Sequence, residues 1–126
     1  MRLTSVIFLG ILCCLLIACG PKPIPSNKAG FVGEWTIGSA FRLNINANGT
    51  ARLFQLIDPA SPDYDKLCIK VGPRIIEGMQ VKFLVGDVLE VAKPTLYGRT
   101  YKIDRPPYQD GDSVKMVLNG VVIVKQ

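Results

Sequence analysis

The stretch FRLNINANGTARLF, residues 41–54, gives the most direct indication of the fold. Phe41, Leu43 and Ile45 alternate with polar residues, which is the period of a strand that buries one face. Asn48 and Gly49 follow, a pair that tolerates the positive φ angles of a tight turn, and a second strand-like run begins after them. This stretch therefore predicts an antiparallel hairpin.

Comparable strands and turns fill the chain on both sides of this hairpin. SVKMVL and VVIVK, joined by Asn119-Gly120, predict a second hairpin over residues 113–125. Within 79–85 the odd-numbered residues, from Met79 to Val85, share one apolar face. Polar, proline-containing stretches predict long loops at 58–66 and 104–112. The predicted strands are 31–37, 41–46, 50–57, 67–71, 79–85, 88–92, 95–103, 113–118 and 121–125.

Short turns between sequential strands leave no room for crossover helices. The expected fold class is therefore all-β, a small antiparallel meander. Such a sheet hides its edges either by closing as a barrel or by folding as a sandwich, and the sequence leaves both open. With 126 residues, the chain can form one domain at most.

The composition argues against several functions. The chain has no His, which removes the commonest general base and the commonest metal ligand. Its formal charge is +5, but the basic residues are scattered along strands and form no stripe suited to nucleic acid. We therefore expect no nucleic-acid partner, no cofactor and no enzymatic activity, although Ser113-x-Lys115 would place a Ser-Lys pair on one strand face.

Two further residue types invite a chemical interpretation. Each predicted long loop carries one pair of aspartates, too few ligands for a calcium site, so we expect solvated carboxylates and no metal. Cys68 lies in a predicted strand with no basic His beside it, and is expected to be buried and inert. The aspartates are Asp63 and Asp65 in the first loop, and Asp110 and Asp112 in the second.

The N-terminus carries a short apolar segment that ends at a cysteine. The apolar run 6–18 follows Arg2 and is shorter than the roughly 20 residues needed to span a bilayer. Leu16-Ile17-Ala18-Cys19 is similar to the lipobox of bacterial lipoprotein precursors. That resemblance implies cleavage before Cys19, a diacylglycerol on its sulfur and an acyl chain on its new amino group. Gly20 in place of Asp implies, by the same resemblance, sorting to the outer membrane.

Prolines at alternate positions from Pro21 to Pro25 follow the cysteine. They predict a stiff, extended tether that holds the domain about 30 Å from the lipid. The expected organisation is a signal peptide over 1–18, a lipidated Cys19 with a tether to residue 30, and a β domain over 31–126. The protein would be anchored to the outer membrane, on the periplasmic face, without spanning it.

Gly33-Glu34-Trp35 followed by the Asn48-Gly49-Thr50 turn resembles the start of lipocalin-like domains. Lipocalins are small barrels, and the resemblance implies a β domain that binds a small apolar ligand or a peptide. They also carry a helix after the barrel and an Arg over the Trp, which this sequence does not match. Trp35 is expected to be a core residue that closes one end of the barrel.

Two functions therefore stand side by side. The first is a non-enzymatic envelope lipoprotein that binds a small apolar ligand or peptide, with Tyr97, Arg99 and Tyr101 as candidate binding residues. Tyr97 and Tyr101 share one strand face with Ile103. The second is a structural or interaction module that docks on an envelope complex, or inhibits an external protein, through loops 58–66 and 104–112.

Overall fold

A computed structural model describes residues 20–56 and 63–126. Its eight strands form one closed antiparallel barrel in sequence order, which confirms the all-β meander and decides for the barrel over the sandwich. A 3-10 helix precedes the barrel, and one short α-helix, α1, lies between β3 and β4. The elements are the 3-10 helix Ser26–Phe31, β1 Gly33–Ile37, β2 Phe41–Ile45, β3 Thr50–Gln55, α1 Tyr64–Leu67, β4 Ile75–Leu84, β5 Val88–Lys93, β6 Tyr97–Asp110, β7 Ser113–Leu118 and β8 Val121–Lys125.

The barrel closes where β1 pairs with β8. Trp35 lies opposite Lys125, and Thr36 lies opposite Val124. All the remaining strand pairs are antiparallel and join strands that follow one another in the sequence. Successive turns therefore alternate between the two ends of the barrel. We call the end with turns 38–40 and 94–96 the cap end. The opposite end, with turns 46–49, 85–87 and 111–112, is the N-terminal end.

Large side chains fill the barrel interior. The predicted face Phe41, Leu43 and Ile45 is buried, as is Trp35. An eight-stranded barrel is just wide enough for side chains to fill its interior, and the side chains here do so. The largest fully buried side chains are Trp35, Tyr101, Leu43, Ile45, Leu53, Leu67, Ile76, Met79, Leu89, Met116, Leu118 and Ile123.

The predicted strand 67–71 is wrong. Leu67 ends α1, and Cys68 and Ile69 are buried in irregular backbone. These residues are apolar because they are buried against the cap end of the barrel. A short apolar run buried in this way has the same sequence pattern as a buried strand. The strand that follows begins at Ile75, four residues before the predicted start.

The predicted loop 104–112 is also wrong, because β6 continues to Asp110. The ladder between β6 and β7 shifts register between Arg105 and Tyr108. Pro106 and Pro107 lie in this irregular part, where a proline removes no regular ladder hydrogen bond.

Several predicted strands extend one or two residues past the observed ends. Phe31 ends the 3-10 helix and β1 begins at Gly33. Val85, predicted on the apolar face of its strand, lies in the turn after Leu84 and is fully exposed.

Candidate functional site

The cap end is covered by residues 63–74, which we call the cap. Gln55, at the end of β3, is fully buried and fastens it. Its side-chain Nε2 donates to the carbonyls of Ile69 at 2.8 Å and Pro73 at 3.1 Å, and its Oε1 accepts from the Ile69 amide at 2.9 Å. Sequence reasoning missed Gln55, although a glutamine in register with the buried residues of a strand is a recognisable signal.

Arg99 and Tyr101, two of the three candidate ligand residues, hold the same cap. The Arg99 guanidinium donates to the carbonyl oxygens of Cys68 and Asp65, the latter at 2.6 Å. The Tyr101 hydroxyl donates to the Leu67 carbonyl at 2.7 Å, and the side chain is only 1% exposed. Their polar groups are therefore occupied by the protein's own backbone.

Tyr97, the third candidate, is half-buried and packs against the core. It lies at the start of β6, beside the turn 94–96. The exposed side chain of Leu96 adjoins it in the sequence. Tyr97 and Arg99 both keep accessible surface, whereas Tyr101 is buried; among the described residues, no backbone carbonyl of the cap is bound to Tyr97.

Cys68 is buried in the cap, as predicted. Burial raises the pKa of its thiol, and the positive charge of Arg99 offsets this only in part. The thiolate is the reactive form of cysteine, so a raised pKa in a buried position makes the side chain inert.

Trp35 lies at the N-terminal end and closes it together with Phe31. Its indole Nε1 donates to the Phe31 carbonyl at 2.9 Å. The Lys125 ammonium lies 5.1 Å from the Trp35 ring and donates to the Gly30 carbonyl at 2.8 Å. Trp35 is therefore a core residue, as expected. Lys125 supplies a cation over its ring, a contact that the sequence did not predict.

A groove of about 630 Å³ runs along the N-terminal end of the barrel. Residues 20–25 form one wall and residues 80–84 of β4 form the other. The walls are largely apolar, with the aliphatic and aromatic surfaces of Ile24, Val81 and Phe83, while Lys22 and Lys82 contribute the charged side chains.

The groove exists because the proline-rich segment lies against the barrel. The Ile24 amide donates to the Ala47 carbonyl at 2.9 Å. Gly49, whose φ is +87°, leaves room for the Lys22 carbonyl, which would lie 1.8 Å from a Cβ at that position. Residues 22–24 therefore lie against the barrel and do not form a free, extended segment.

The described residues contain no group of three or more side chains suited to holding a metal ion. Asp110 accepts a hydrogen bond from Lys115 at 2.7 Å. This contact lowers the pKa of Asp110 and raises that of Lys115. A lysine that activates a serine needs a lowered pKa, so the Ser113-x-Lys115 pair has the opposite electrostatics.

Cys19 and residues 58–62 lie outside the described residues. The rest of the predicted loop 58–66 is wrong in part, because α1 begins at Tyr64. Within residues 20–56 and 63–126, no helix is long and apolar enough to cross a membrane. Comparisons with protein-family models, curated proteins and solved structures found no match.

Proposed function

We propose that this protein is a non-enzymatic lipoprotein of the outer membrane, anchored through Cys19 on the periplasmic face, whose barrel is an interaction module for an envelope protein. The lipobox-like Leu16-Ile17-Ala18-Cys19 supports the anchor. The observation that carries the choice of an interaction module is the filled barrel interior, because a ligand has little room among fully buried side chains. Binding then takes place on the outer surface.

The cap end is the contact surface that the geometry favours. Val71, Ile75 and Leu96 are large apolar side chains that remain exposed there, with 63% of Leu96 accessible. The surface lies on a rigid base, because Gln55 and Arg99 fasten the cap to the barrel. Exposed apolar side chains on a rigid scaffold are typical of protein contact sites.

A second candidate follows from the groove. Its volume of about 630 Å³ lies in the range of small-molecule sites, and its apolar walls suit an acyl chain or an apolar peptide. Binding of a fluorescent fatty acid that is lost in Phe83→Asp and kept in Phe54→Asp would support this function. Equal binding by both variants would contradict it, because Phe54 lies on β3, away from the groove lining.

Membrane fractionation tests the anchor. The native chain is expected in the outer-membrane fraction, and Cys19→Ala is expected to leave it. Cys14→Ala is the matched control, since it changes a cysteine of the same apolar segment and should leave fractionation unchanged. A Cys19→Ala protein that fractionates like the native chain would contradict the proposal.

Photo-crosslinking in cells tests the interaction module. A photoreactive amino acid at Leu96 should capture a discrete envelope protein. The same amino acid at Val122, an exposed apolar residue on the barrel wall, is the control and should not capture it. Identical crosslinking patterns at both positions would contradict a contact surface at the cap end.

A further inference from the structure

We propose that the N-terminal end of the barrel rests on the anionic phospholipid surface that holds the acylated Cys19, so that the cap end points away from the membrane. This inference rests on the proposed lipid anchor and adds to it an orientation and a membrane-contact surface. That surface consists of Lys22, Lys82, Leu84 and Val85.

The first argument is the position of the anchor. Gly20 lies at the groove, against the barrel. Cys19 is the residue directly before Gly20 in the sequence, so an acylated Cys19 would be joined to the barrel at this end. The acyl chains would therefore leave the protein at the N-terminal end, with no spacer between them and the barrel.

The second argument is that the connection is fixed. The hydrogen bond from the Ile24 amide to the Ala47 carbonyl joins the segment to the turn between β2 and β3. The close approach of the Lys22 backbone to Gly49 holds it at a second point. A barrel held this close to its anchor, at two points, has little freedom to turn its cap end toward the lipid.

The third argument is the chemistry of the surface beside the anchor. Val85 lies in the turn between β4 and β5 and is fully exposed. Leu84, the last residue of β4, is 42% exposed. Lys22 and Lys82 are exposed on the two walls of the groove, and neither forms a salt bridge within residues 20–56 and 63–126. Two exposed apolar side chains and two exposed lysines outweigh the one carboxylate of this turn, Asp87, and match an interface of acyl chains and anionic headgroups.

Charge also distinguishes this surface from the barrel wall. On the wall, Arg42 is paired with Glu34 and Arg52 with Glu77. These two arginines are neutralised locally, whereas Lys22 and Lys82 have no salt-bridge partner among the described residues and can meet phosphate groups. This complementarity favours an anionic lipid surface over a second, equally cationic copy of the chain.

The test places a fluorophore at each end of the acylated full protein. Val85→Cys and Leu96→Cys each add one exposed thiol at opposite ends, while Cys68 is buried. Each variant is labelled with an environment-sensitive dye and reconstituted in phosphatidylethanolamine–phosphatidylglycerol vesicles with brominated acyl chains. We expect a blue shift and quenching at position 85, and water-like, unquenched emission at position 96.

Charge variants sharpen the test. The double substitution Lys22→Glu and Lys82→Glu should lower the affinity of the surface around position 85 for the vesicles by about fivefold or more per lysine. The quenching at position 85 should fall accordingly. Lys66→Glu, an exposed lysine of the cap end, is the matched control and should leave quenching unchanged.

The outcomes separate the two proposals. Equal or absent quenching at both positions in a protein with acylated Cys19 would overturn the orientation while leaving the anchor. A protein without acyl chains on Cys19 would overturn the anchor itself. Self-quenching at position 85 that rises with protein density would also overturn the orientation, in favour of contact between two copies.

Discussion

Replacing Gln55 with Met is expected to destabilise the barrel, because the Gln55 side chain makes three hydrogen bonds to backbone groups of the cap. The substitution keeps a similar side-chain volume and removes bonds to the Ile69 carbonyl, the Ile69 amide and the Pro73 carbonyl. The Ile69 amide then has no partner in a buried setting, and an unsatisfied buried group costs about 1–3 kcal/mol. Adding the weaker loss at the two carbonyls, we expect the free energy of unfolding to fall by about 2–4 kcal/mol.

The matched control is Gln109→Met. Gln109 is exposed and makes one local bond, from its Nε2 to the Gly111 carbonyl at 2.8 Å. Surface substitutions of this kind change stability by about 0.5 kcal/mol or less. The two variants therefore compare the same chemical change inside and outside the cap.

Urea unfolding followed by Trp35 fluorescence measures the difference, since the chain contains 1 Trp. For a domain of this size each kcal/mol lowers the melting temperature by about 4–8 °C, so Gln55→Met should melt about 8–32 °C below the native protein. Amide exchange at Ile69 should quicken in the same variant. If Gln55→Met unfolds within about 0.5 kcal/mol of Gln109→Met, the cap is not held as described.

Three further predictions concern individual residues. Gly49→Ala should cost clearly more in urea unfolding than Gly111→Ala, because both have positive φ but only Gly49 faces a backbone carbonyl; equal costs would contradict the docked N-terminal segment. Burial raises the pKa of Tyr101 above its ordinary 10.0, so the contribution of Tyr101 to the free energy of unfolding is complete below pH 10 and is lost as the pH rises further. Tyr101→Phe should show a flatter decline of the urea midpoint above pH 10, and an unchanged slope would contradict this. Cys68 should resist a thiol reagent at pH 8 until urea unfolds the protein, and rapid reaction of the folded protein would contradict its burial.

The sequence predicted most of the barrel because its turns have specific chemistry. Asn48 Oδ1 accepts from the Thr50 amide at 3.1 Å and from the Thr50 hydroxyl at 2.6 Å, which fixes the first hairpin. Asn119 has φ +49° and Gly120 has φ +76°, the positive angles expected of an Asn-Gly turn. Such contacts are local, so the residue types alone reveal them.

The cap escaped prediction because its contacts are distant in sequence. Tyr101 and Leu67 lie 34 positions apart, and Gln55 and Ile69 lie 14 apart. Apolar residues in the cap are buried by the barrel end, and periodicity reports burial without saying what covers a residue. For the same reason the sequence suggests Arg99 and Tyr101 as ligand residues, whereas in the structure both donate to carbonyl groups of the cap.

The measurement that tests the central claim most directly is the intact mass of the native protein isolated from membranes. A lipid-anchored barrel predicts a chain that begins at Cys19 and carries diacylglycerol and an acyl group. The same preparation of Cys19→Ala should lack both the cleavage and the lipid. A native chain that retains residues 1–18, or that begins elsewhere without lipid, would contradict the anchor and with it the proposed orientation on the membrane.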